Sequence, residues 1–168
     1  MSNLPKQPES ISTILSPEAA EAKQLIAIYN QPFVKEKILR EQAVRSLIQL
    51  VNANANLLAM VIDDAKEYAR MAHVCDFSPW DPNAFAVLLQ VGWKAEVIAF
   101  LSDLVRREYG IPRWDALETL CRMEHPEADR VVEEVSLGHY PPTYHHEMDQ
   151  RVVECARAST RASRVVAA

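Results

Sequence analysis

The sequence predicts an all-α fold, a bundle of about six helices around a buried central helix at 82–109. Three observations carry this. Glycine is scarce, three in 168 residues, and half of the ten prolines stand where helices would start; a sheet protein needs turn residues at short intervals. Apolar residues recur at spacings of three and four, the period of a helix face. The stretch from Asp81 to Gly110 carries a full set of helix signals. Asp81 suits an N-cap, Pro82 the first helical position, Arg106 and Arg107 the last turn, and Gly110 the left-handed residue beyond the end. Between them lie 28 residues, about 42 Å of helix. Ala84 to Trp93 is apolar on nearly every side, as expected of a helix buried among others.

In chain order, residues 1–15 are polar with two prolines and read as a flexible arm. Ser16-Pro17-Glu18 starts a first helix with a cap, a proline and an acid in the first turn. A second helix starts near Pro32. Its stripe Val44, Leu47, Val51, Leu58, Ile62, Ala65, Ala69 keeps phase across Asn52, Asn54 and Asn56. That phase favours one long helix over 32–74, 43 residues, against the alternative of a helical hairpin broken at the asparagines. Glu36–Arg40 and Glu41–Arg45 are acid-before-base pairs suited to an exposed face. The segment from Cys75 to Asp81 reads as a loop. Gly92 inside the central helix costs about 1 kcal/mol against alanine. After Gly110, Pro112 opens one short helix, and His125-Pro126-Glu127 opens another that Gly138 closes. His139 to His146 reads as a loop, followed by a last helix from about Tyr144. The expected organisation is therefore an arm at 1–15, one helical domain at 16–150 and a basic helix or tail at 151–168.

Composition narrows the function. Hydrophobic residues make up 49%, too apolar for a disordered chain, and the net charge of −5 leaves no overall basic footprint for nucleic acid. The charge is uneven, because residues 151–168 hold four arginines and one glutamate, net +3, which leaves −8 on 1–150. Cys75, Cys121 and Cys155 form no CxxC pair, and an odd set without an apolar leader fits a reducing cytoplasm. Lys94 and Glu96 interrupt the apolar stretch at 84–101, so no membrane span is expected.

Candidate chemistry is thin. His139, His145 and His146, beside Glu147 and Asp149, are the metal-ligand candidates. Adjacent histidines on a helix point about 100° apart and no HExxH occurs, so no metal or cofactor is expected. Asp63, Asp64 and Glu67 alternate with Lys66 and Arg70 and read as a solvated, ion-paired face. Cys121 reads as a buried structural thiol. No phosphate loop, Walker motif or GxSxG elbow occurs.

Two surface sets remain. Arg157, Arg161 and Arg164 share a helix face, with Arg151 about two turns earlier and roughly on the same side, a stripe for an anionic partner. Phe77, Trp80, Tyr140 and Tyr144 are aromatic residues in loops, the kind that anchors interfaces and also lids helical cores. The sequence therefore points to a non-enzymatic helical protein-interaction module: a regulator, adaptor, assembly factor or inhibitor. Its partner is another protein or a second copy through the 32–74 helix. The alternatives are a nucleic-acid-binding regulator using the arginines and a metal- or cofactor-binding protein using 139–147.

Overall fold

The computed structural model describes residues 15–31, 37–74, 83–91, 95–107, 110–138, 147, 149–155 and 157–158. The regular structure among them is all helical, with no strand. The elements are α1 (Pro17–Tyr29), α2 (Lys37–Ala53), a 3-10 turn (Ala55–Leu57), α3 (Leu58–Val74), α4 (Asn83–Gln90), α5 (Ala95–Arg107), α6 (Ile111–Arg122) and α7 (Pro126–Ser136). A helical C-terminal segment follows within 147–158.

The helix starts obey local chemistry. Ser16 caps α1, its hydroxyl accepting the Ala19 N–H at 3.2 Å, with Pro17 and Glu18 behind it. His125 caps α7 through Nδ1, which accepts the Glu127 N–H at 3.2 Å. Past the end of α7, Gly138 takes φ 71° and its N–H bonds the Val135 carbonyl at 3.0 Å, closing the helix as expected.

Two expectations fail in the middle of the chain. The long helix over 32–74 is broken. α2 ends at Ala53, and Asn54 leaves the helix with φ −135° and ψ 94°. Its side-chain oxygen accepts the Asn56 N–H at 3.2 Å, starting the 3-10 turn that leads into α3. The break falls at the asparagines, where the alternative reading placed it; α2 lies against α1 and α4, and α3 against α4, α6 and α1. The apolar stripe kept its phase because the linking turn is itself helical, so Val51, Leu58, Ala65 and Ala69 are all buried. The single helix over 82–109 is likewise two: α4 ends at Gln90, Val91 is in a turn, and α5 begins at Ala95. The stretch between them holds Gly92, whose helix propensity is second-worst after proline.

The centre of the bundle is therefore shared. α4 lies between α2, α3 and α6, and buries Ala84, Phe85, Val87 and Leu88. α6 lies against α3, α4, α5 and α7, with Ala116, Leu117 and Leu120 wholly inaccessible. α1 closes one end on α2 and α3, and α5 with α7 closes the other. Gly110 makes the sharp entry to α6 with φ 74° and ψ −147°, a conformation essentially reserved for glycine.

Polar staples cross this core. The Tyr29 hydroxyl of α1 donates to Asp64 Oδ2 of α3 at 2.6 Å, and Asn30 Nδ2 donates to Oδ1 at 2.7 Å. Asp64 therefore turns inward, away from the solvated face expected of it. Burial pushes its carboxyl above the usual range against the pull of those two donors, and pushes the Tyr29 phenol up as well. Its neighbours do form the expected ion-paired surface, Lys66 to Asp63 at 2.8 Å and Arg70 to Glu67 at 2.5 Å.

Candidate functional site

The residues singled out in the sequence divide sharply. Phe77, Trp80, Tyr140, Tyr144, His139, His145, His146, Arg161, Arg164 and Cys75 lie outside the described residues, as do the Asp81-Pro82 helix start, the start near Pro32 and the arm before Leu15. Among the described residues no group of His, Cys, Asp and Glu is arranged to hold a metal, and no helix is long and apolar enough to cross a membrane.

Asp149, considered beside the histidines as a ligand, has another task. Its two carboxylate oxygens take a paired fork from Arg113 of α6: Nε to Oδ1 at 2.9 Å and Nη2 to Oδ2 at 2.8 Å. Arg113 Nη1 also donates to the Val105 carbonyl of α5. Both side chains are only 2% exposed. This buried pair, with Val153 one turn on, seats the C-terminal segment on the bundle. Nothing local to Arg113 announced it; the partner lies 36 residues away and only the fold joins them.

Arg151 and Arg157 are exposed, the two members of the arginine stripe among the described residues. Arg157 is close enough to Cys121 to favour its thiolate. Burial still dominates at Cys121, pushing its thiol up to about 11, which suits the inert structural role expected.

Concave surfaces among the described residues include a groove and a cleft. The first is a groove of about 490 Å³ between α5 and the start of α7. Its α5 wall is Ala95, Ile98, Ala99, Ser102, Asp103 and Arg106. These positions repeat at three and four, so they form one continuous face, about 16 Å long at 1.5 Å per residue. His125, Glu127 and Arg130 form the opposite rim. Ala95 and Ala99 are exposed and carry almost no side chain, so the floor is open. The rims hold both signs. Asp103 pairs with Arg107 at 2.6 Å, and Arg130 bridges Glu127 at 2.5 Å and Glu134 at 2.8 Å. The small residues were visible in the sequence, but the single-helix reading assigned them to a buried core.

The second is a cleft of about 300 Å³ between α4 and α6. Phe85, Ala86, Leu89 and Gln90 face Asp115, Glu118, Thr119 and Arg122 across it. Asp115 Oδ2 accepts the Tyr68 hydroxyl of α3 at 2.8 Å, and the Tyr68 and Phe85 rings meet edge-on at 5.7 Å. Burial, helped by the charge of Glu118, pushes the Asp115 carboxyl up to about 6 against the Tyr68 hydrogen bond. Glu118 pairs with Arg122 one turn along. Sequence reading missed Asp115, because an acid beside Trp114 on a short helix carries no local mark of burial.

Comparison with protein-family models, with curated proteins and with solved structures yields no match to this chain.

Proposed function

We propose that the protein is a non-enzymatic helical interaction module that receives a single amphipathic helix of a partner protein in the α5/α7 groove. The observation that carries this reading is the open floor at exposed Ala95 and Ala99 along one α5 face. Helices pack with axes 8–10 Å apart, and small residues on one of them let the other approach closely. A face of about three turns suits the i, i+3, i+4, i+7 anchors of a helix laid in a groove. The rims, with Asp103 and Glu127 among Arg106 and Arg130, suit a partner carrying charges of both signs beside its apolar stripe. Exposed Cys155 and half-buried Cys121, both free thiols, support a reducing cytoplasmic setting.

The test is selection of a display library of amphipathic helical peptides on the intact protein, followed by affinity measurement on three variants. Ala99→Trp and Ala95→Trp fill the groove at exposed positions and are expected to weaken the selected peptides at least tenfold. Ala59→Trp, on an exposed position of α3, is expected to leave them unchanged. Peptides that bind all three variants equally well would overturn the assignment.

A further inference from the structure

The cleft between α4 and α6 is a separate surface, and its chemistry is more specific than that of the groove. We propose that it binds an alkylammonium group, the cation on Asp115 and the alkyl chain along Phe85 and Leu89. Three observations on the page lead there. The cleft is about 300 Å³, at the lower end of the range for small-ligand sites, with one apolar wall and one polar wall. Asp115 gives only Oδ2 to Tyr68, and Oδ1 takes no hydrogen bond among the described residues. The cleft holds two carboxylates, Asp115 and Glu118, and one guanidinium, Arg122, so it carries a net charge of −1 when Asp115 is ionised. A monocation neutralises it and relieves the repulsion between the two acids; an anion meets that excess charge, and a neutral ligand leaves it in place.

The ionised carboxylate is the binding form, so affinity is linked to pH. The groups facing Asp115 are Tyr68 from α3 and Glu118 and Arg122 from α6, while the α4 wall offers Phe85, Ala86, Leu89 and Gln90 and no titratable side chain. With the Asp115 carboxyl at about 6, roughly a tenth of it is ionised at pH 5, and apparent affinity falls about tenfold from pH 7.5.

The experiment is a two-dimensional amide NMR titration of the full chain with n-butylamine and with Nα-acetyl-lysine amide, against 1-butanol and Nα-acetyl-norleucine amide as uncharged counterparts. Saturable shifts are expected for the two ammonium probes at residues 85–90 and 115–122, about tenfold weaker at pH 5 than at pH 7.5. Asp115→Asn retains an acceptor for Tyr68 and is expected to weaken binding at least tenfold. Glu118→Gln keeps the Asp115 carboxylate and its Tyr68 hydrogen bond and is expected to weaken binding a few-fold, which keeps the proposal testable should the first variant fold poorly. Tighter binding of the lysine amide than of butylamine would assign the site to a partner's lysine, and the reverse to a free amine. Equal response to the alcohol, indifference to both substitutions, or absence of saturable shifts in the cleft would overturn the proposal.

Discussion

Asp115 sits where two opposing effects meet. Burial favours its neutral form, and the Tyr68 hydrogen bond favours the anion; burial wins and lifts the carboxyl from 3.8 to about 6. A carboxyl raised in the folded state binds its proton more tightly there than in the unfolded chain. Its contribution is therefore most favourable below about pH 4 and is lost as pH rises through about 6. Asp115→Asn removes the charge without removing the acceptor. It is expected to stabilise the protein at pH 7.5 by about 1–3 kcal/mol and to leave stability nearly unchanged at pH 4, read from urea midpoints at the two pH values. Arg113 and Asp149 behave in the opposite sense, because each satisfies the other. Arg113→Met leaves a buried carboxylate without its counter-charge and is expected to cost about 3–5 kcal/mol in urea unfolding. Arg113→Met combined with Asp149→Leu is expected to recover most of that loss, since two apolar groups need no partner. Neither residue was legible in the sequence, where a charged side chain reads as exposed by default and its distant partner is invisible.

The elements were legible wherever a local signal ends or starts them. Ser16-Pro17, His125-Pro126 and Gly138 each specify a helix boundary by the hydrogen bond or dihedral it supplies, and each boundary falls where those residues place it. The failures are interior breaks. Periodicity reports which face is buried, and a 3-10 turn preserves that face almost as well as an α-helix does, so the stripe from Val44 to Ala69 outweighed the break that Asn52, Asn54 and Asn56 offered. The same held for the apolar run that became α4 and the start of α5, where Gly92 was the only local warning. Gly110 gives the sharpest test at this scale. A Cβ placed there would meet nothing within 4 Å, so any cost of Gly110→Ala comes from the backbone alone. The expected loss is about 1–3 kcal/mol by chemical denaturation, from forcing alanine into φ 74° and ψ −147°. A neutral result would mean that α6 can be entered by another path.

Across the whole molecule, composition and period were enough for the all-α class, and among the described C-terminal residues Asp149 and Val153 pack against the body. The boundary drawn at residue 151 cuts between Asp149 and Val153, both buried on the same side of one helical segment. Deleting 151–168 exposes the surface under Val153, worth about 2 kcal/mol, and is expected to lower the melting temperature by roughly 4–8 °C in a chain of this size. An unchanged melting temperature would return the segment to the role of a free arm. Function was the least legible level, for a physical reason. A groove is made by two helices separated in the chain, and the residues that open its floor are two alanines, Ala95 and Ala99, which carry no chemical mark until a fold leaves them uncovered. The measurement that tests the interaction reading most directly is amide NMR mapping of the tightest selected helical peptide on the intact protein. Shifts concentrated at residues 95–106 and 125–130, saturating with the peptide and absent in Ala99→Trp, are the expected result. Shifts confined to another face of the bundle would contradict it.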